Sequence, residues 1–156
     1  MPPETLEDGA FSSDVFDFLK LLHLHEVNYV IVGGEAVIFY GYPRLTGDVD
    51  FYYGLEKENA VRLFEALKDF WQGRVPEISG VADLLEPGMI IQFGRPPHRI
   101  DLLNQIDGMD FDAAWRGRRT VLLKGTPVHY IGLKDLLLNK RASGRHKDLD
   151  DLEHLE

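Results

Sequence analysis

The chain has 156 residues, a size suited to one domain or one compact unit. Hydrophobic residues make up 44% and charged residues 28%, a globular balance with enough apolar side chains for a single core. Cysteine is absent, which excludes a disulfide framework, a thiol nucleophile and a cysteine-ligated zinc together. The formal net charge of −9, from 17 Lys and Arg against 26 Asp and Glu, disfavours a surface that grips nucleic acid over its whole extent and still allows a local basic patch. No apolar run approaches the roughly 18 residues of a membrane span, because Gly33, Gly34 and Glu35 interrupt the longest one. Met1-Pro2-Pro3-Glu4 has neither the basic start nor the apolar stretch of a secretion signal. The expectation is a soluble, cytoplasmic protein with no membrane segment.

Residues 1–12, rich in Pro, Glu, Asp and Gly, read as a flexible lead-in to a single domain over 13–156. From Ser13, Val15, Phe18, Leu19 and Leu22 fall on one helical stripe. Val27–Val32 is a β-branched and aromatic run that stops at Gly33-Gly34 and reads as a buried strand. Ala36–Tyr40 reads as a short helix closed by Gly41 and Pro43. Asp48–Tyr53 is a second strand, and Glu58–Trp71 a helix with Ala60, Leu63, Phe64, Leu67 and Trp71 on one face. Residues 73–87 form a loop with a helical turn. Extended runs come next at Met89–Phe93 and Arg99–Leu103, separated by the turn Gly94-Arg95-Pro96-Pro97. Phe111–Trp115 is a helical turn, and Val121–Lys124 with Val128–Ile131 a hairpin around Gly125. Helices over Leu133–Ala142 and Asp148–Leu155 complete the order. The fold class is α/β in the α+β sense, a mixed sheet flanked by helices with two helices at the C-terminal end, rather than a doubly wound sheet.

The informative stretch runs from Gly33 to Asp50. Asp48 and Asp50 lie two apart on a strand, so both carboxylates leave the same face while Val49 and Phe51 point into the core. Two adjacent carboxylates repel and need a positive partner; a hard divalent cation with oxygen ligands suits them, and a solvated strand edge is the plain alternative. Asp101 sits opposite Ile100 and Leu102 on its own run, so a strand laid beside the first would bring three carboxylates together. Otherwise Asp101 pairs with Arg99 or Arg95 at the surface. Gly33-Gly34, between a strand and a helix, permits close backbone approach to a phosphate or simply a tight turn. Arg44 and Thr46 stand just ahead of the aspartates. Lys140 continues the stripe of Leu133, Leu136 and Leu137, where a lysine must snorkel out, find an anion or complement the helix dipole. The run from Lys140 to Lys147 is a basic island in an acidic chain, either a solvated loop or an anion contact; Arg116, Arg118 and Arg119 read as solvent-exposed. His23 and His25, two apart on a helix, point to different sides and make no zinc pair.

Taken in order and at this spacing, Val32-Gly33-Gly34-Glu35-Ala36 through Gly41, Arg44, Thr46, Asp48, Asp50 and Phe51 resembles the nucleotidyltransferase superfamily, the DNA polymerase beta-like fold. Within it the chain is similar to small bacterial AbiEii-type nucleotidyltransferases of toxin–antitoxin and abortive-infection systems. Those carry Gly-Gly, then Arg-x-Thr-x-Asp-x-Asp, then a later strand aspartate matched here by Asp101. The C-terminal segment from Leu133-Lys134-Asp135-Leu136 through Lys140, Arg145, Asp148 and Asp151-Leu152 resembles the corresponding segment of the same relatives.

The resemblance implies transfer of a nucleoside monophosphate from an NTP to an acceptor hydroxyl, with pyrophosphate released. It implies Mg²⁺ or Mn²⁺ held by Asp48, Asp50 and Asp101, with Asp101 also acting as general base. Gly33, Gly34, Arg44, Thr46 and Lys140 would bind the nucleotide. The acceptor is an RNA end, a protein hydroxyl or a small molecule. The chain departs from many active members by having Glu35 where they have Ser, and it has no obvious large acceptor-selecting domain. The alternative expectation is therefore a catalytically silent member that acts by binding a protein partner, such as one half of a toxin–antitoxin pair.

Overall fold

Ser12 opens the first helix: its hydroxyl accepts the backbone N–H of Val15 at 3.2 Å, an ordinary N-cap. Helix α1 (Ser13–Leu24) then buries Val15, Phe18, Leu19 and Leu22, the stripe read from spacing. The computed structural model describes residues 2–94 and 99–156. Strand β1 (Tyr29–Val32) is buried at every position and passes directly into α2 (Gly33–Phe39). Strand β2 (Asp48–Tyr53) pairs antiparallel with β1. Next come α3 (Lys57–Phe70), the short α4 (Val81–Leu84), β3 (Ile90–Phe93), β4 (Arg99–Leu103) and α5 (Phe111–Arg116). The hairpin β5 (Arg119–Leu123) and β6 (Thr126–Tyr130) precedes α6 (Leu133–Ser143) and α7 (His146–Leu155).

The six strands form one sheet in the order β3-β4-β2-β1-β6-β5. β2 runs parallel to β4, and β1 parallel to β6; the other neighbours are antiparallel. The mixed α/β architecture expected from the sequence is thus the one present. One sheet face carries Phe51, which meets Phe18 of α1 edge-on at 5.3 Å; Phe18 meets Phe70 of α3 at the same separation. The other face of β2 carries Asp48, Asp50 and Tyr52. No helix among the described residues is long and apolar enough to cross a membrane.

The differences from the sequence reading have local causes. The first strand begins at Tyr29 rather than Val27 because the backbone N–H and C=O of Asn28 are taken by the side chain of Asn59. Asn59 interrupts the apolar face of α3, is 2% exposed, and also donates to Gly54 O. Ahead of α1, Thr5 forms a bridge to Leu122 of β5: Leu6 N–H donates to Leu122 O and Leu122 N–H to Glu4 O. On α6 the inward residues are Leu136 and Lys140, while Leu133 is exposed. The turn expected at 94–97 falls, past Gly94, outside the described residues, as does a pairing of Asp101 with Arg95.

His129 on β6 contacts the rings of Tyr29 and Trp115, and its Nδ1 lies 2.7 Å from Thr120 Oγ1. Burial, with the nearby charges of Arg118 and His23, pushes its pKa down to about 4. A folded-state pKa below the unfolded value of roughly 6.5 gives stability that is present above pH 6.5 and lost as pH falls toward 4. In urea titrations across that window, His129→Gln is expected to lose less stability than the parent chain.

Candidate active site

The parallel pairing of β2 with β4 sets Asp50 opposite Asp101 and Asp48 opposite Arg99. All four side chains leave the same face, by the two-residue period of a strand. The carboxylates of Asp48, Asp50 and Asp101 each offer an oxygen, and these atoms lie within 4.8 Å of one another. Asp101 is 5% exposed and Asp48 and Asp50 are half-buried, so the three charges meet where water screens them poorly.

The protein manages that repulsion with its own donors. Arg99 reaches across both strands, its Nη2 2.9 Å from Asp48 Oδ2 and its Nε 2.8 Å from Asp101 Oδ1. Gln92 of β3 donates to Asp101 Oδ2 at 3.3 Å, and the Thr46 hydroxyl lies 3.2 Å from Asp48 Oδ1. Among the described residues, none gives Asp50 such help. Burial first, then the charges of Asp48 and Asp101, push its pKa up to about 7. Burial opposes the ionisation of Asp48 too, but hydrogen bonding with Asp101, Arg99 and Thr46 outweighs it and holds Asp48 below its ordinary range. Glu35, on α2, is raised to about 7 by burial and by the charge of Asp48. It is a fourth acid at the edge of the cluster.

The two glycines have distinct steric jobs. Gly33 has φ +67°, and a Cβ there would collide with the Asp50 carboxylate. Gly34 has ordinary backbone geometry, but its Cβ would come 2.7 Å from Thr46 Oγ1 and 3.4 Å from Arg44 Nη2. The glycines let α2 start directly over the aspartates.

Arg44 and Lys140, both expected at the nucleotide, are engaged by α7. Lys140 is 3% exposed, with its Nζ 3.1 Å from Asp148 Oδ1 and 3.1 Å from Asp151 Oδ2. Arg44 meets the same Asp151 through Nη2 at 3.2 Å, while its Nε lies 3.1 Å from Oδ1 without hydrogen-bond alignment. Asp148 also accepts from Arg145 Nε at 2.8 Å. Tyr42 strengthens this docking by donating to Asp150 and stacking on His154. The loop carrying Arg44 and Thr46 is therefore clamped to the last helix.

Asp50 and Gly33 open on a cleft of about 1130 Å³ whose walls include Lys140, Arg145, Tyr52, Asn104 and Phe111. Arg99 and Tyr52 escaped the sequence reading as site residues. Parity could have found both, since each lies two residues from a candidate aspartate on the same strand.

Gly33→Ala is expected to destabilise the protein by about 1–3 kcal/mol, combining strain at positive φ with the collision at Asp50. Urea denaturation measures this against Gly9→Ala, whose added methyl meets nothing and should be neutral. Lys140→Met leaves two buried carboxylates short of a cation and is expected to cost about 3 kcal/mol in the same assay.

No curated protein is a significant match to the chain. The model of the family described as "Nucleotidyltransferase of unknown function (DUF6036)" matches residues 13–156, the whole span from α1 through α7. A match of that extent makes the chain a member of this nucleotidyltransferase family.

Proposed function

We propose that the chain transfers a nucleoside monophosphate from an NTP to an acceptor hydroxyl and releases pyrophosphate. The observation that carries this is the convergence of Asp48, Asp50 and Asp101 at the mouth of a cleft large enough for a nucleotide. Three carboxylate oxygens within 4.8 Å make an all-oxygen donor set, which suits Mg²⁺ or Mn²⁺. Such an ion, when bound, supplies neutralisation of phosphate charge during attack at phosphorus.

The remaining work falls to the chain's own residues. Asp48 and Asp50 are the ligands that would face the phosphates. Asp101 completes the set and takes the proton of the acceptor hydroxyl. Gly33 and Gly34 leave the space in which a triphosphate approaches the aspartates. Thr46 holds Asp48, and Arg44 holds the loop that carries Thr46. Lys140 donates to Asp148 and forms an ion pair with Asp151, and a further N–H would serve a phosphate oxygen. The Arg99 guanidinium must yield its place on Asp48 and Asp101 when a metal enters. The acceptor is an RNA end, a protein hydroxyl or a small molecule. The finer kinship to AbiEii-type, toxin–antitoxin nucleotidyltransferases belongs to this reading and rests on the Arg-x-Thr-x-Asp-x-Asp spacing.

A second reading has two residues in its favour. Arg99 lies across two of the three carboxylates, and Glu35 puts a fourth acid beside them. The occupied carboxylates and the extra acid both suit a catalytically silent member that acts by binding a protein partner.

Thermal unfolding with Mg²⁺ and each of the four NTPs separates the two. A ligand at about a hundred times its Kd adds roughly 2.7 kcal/mol, a shift of several degrees for a domain of this size. The transfer reading expects a metal-dependent shift with one NTP, lost in Asp50→Asn while that variant stays folded. No shift with any NTP favours the silent reading.

A further inference from the structure

The oxygens of the triad are not equally open. Asp101 Oδ1 accepts from Arg99 Nε at 2.8 Å, and Asp101 Oδ2 from Arg99 Nη2 at 3.1 Å and Gln92 Nε2 at 3.3 Å. Asp48 Oδ2 accepts from the same Nη2 at 2.9 Å, and its Oδ1 lies 3.2 Å from the Thr46 hydroxyl. All four oxygens of two carboxylates therefore face a donor, and one guanidinium meets three of them.

Arg99 differs from the other cations near the cleft in what holds it. Lys140 and Arg145 are bonded to Asp148, and Arg44 to Asp151, acids of α7 that stand outside the triad. Among the described residues, the acids that Arg99 meets are the triad's own. Its side chain is 29% exposed, so it can swing toward solvent without opening the core. Its partner on β2, Asp48, is joined through Thr46 to the Gly34 step, where a Cβ would come 2.7 Å from Thr46 Oγ1. The guanidinium thus stands beside the space that the glycines leave open.

We propose that Arg99 is an exchangeable counter-ion: it neutralises Asp48 and Asp101 until nucleotide arrives, then leaves those carboxylates for a phosphate of the NTP. This rests on the transfer reading. The planar fork of N–H donors matches carboxylate and phosphate alike, so a guanidinium suits both positions. Asp48 and Asp101 become metal ligands only by giving up Arg99. That release is unfavourable while Arg99 has only water to turn to, and is offset once a phosphate lies beside it. Arg99 is therefore a positioning residue that couples two binding events. The chain alone holds a divalent cation weakly, nucleotide tightens the hold, and linkage makes the effect reciprocal.

Titration of the full chain with Mn²⁺, with free Mn²⁺ followed by electron paramagnetic resonance, reads this exchange without turnover. It is run alone and with a non-hydrolysable analogue of each NTP. Without nucleotide, Arg99→Gln is expected to bind Mn²⁺ about tenfold tighter than the parent chain, the size of one hydrogen bond to a charged group. With the preferred analogue the difference is expected to shrink to about threefold or less, or to invert. Melting temperature checks the fold, and Arg99→Lys, which keeps the charge and loses the fork, is expected to fall between the two. Arg145→Gln removes the same charge from the cleft wall without touching a triad oxygen, and is expected to change Mn²⁺ affinity by about twofold or less. An Arg99→Gln affinity equal to or below the parent's, a gain matched by Arg145→Gln, or a gain that nucleotide does not narrow overturns the exchange. If nucleotide still tightens Mn²⁺ in the parent, nucleotidyl transfer stands without it. No Mn²⁺ binding by any of these chains, with or without nucleotide, overturns the transfer reading and the exchange together.

Discussion

Three carboxylates held within 4.8 Å repel one another, and much of the surrounding structure keeps them there. The repulsion cannot be relieved by moving the backbone, because β2 and β4 are central strands with neighbours on both sides. It is relieved by donors instead. Arg99 spans Asp48 and Asp101, Gln92 and Thr46 add single hydrogen bonds, and Asp50 is left with the least support. The same register that creates the conflict supplies its remedy, since Arg99 is placed opposite Asp48 by the pairing that aligns Asp50 with Asp101.

A second set of charges works differently. Lys140, Asp148 and Asp151 are buried, and Arg44 and Arg145 join them from either side. Burying ions costs desolvation that mutual attraction only partly offsets, so such a cluster is weak evidence of stability. It is better evidence of placement. Asp151 accepts from Arg44 and forms an ion pair with Lys140, and so fixes α6 and α7 to the loop that ends in Thr46. Two helices outside the sheet thereby determine where one of the triad's supporting hydroxyls sits.

Much of this was legible in the sequence. The strand carrying Asp48 and Asp50, the stripe of α1 and the order of elements follow from period-two and period-3.6 patterns in single segments. Asp101 was legible only as a candidate. Its adjacency to Asp50 depends on two strands pairing in parallel, which no local pattern dictates. The glycines were visible as a turn, yet their reasons are side chains beyond the helix that they open, Asp50 for Gly33 and Thr46 for Gly34. For Lys140 the sequence leaves solvent, an anion or the helix dipole open, and the anions that it meets lie on the next helix, where Asp148 and Asp151 look like ordinary solvent-facing acids. Arg99 is legible as a partner of Asp101 and not of Asp48, and Asn59 is not legible at all. Each is a polar residue whose meaning is the backbone or carboxylate it meets on another element.

The tie between Arg44 and Asp151 joins positions 107 residues apart. Contacts of that separation form late, because the intervening chain must be ordered before the closure is repaid. During synthesis, the strands bearing the aspartates leave the ribosome long before the helix that secures their loop. Until α7 docks, the acidic cluster stands beside a loop whose Arg44 lacks its carboxylate partner.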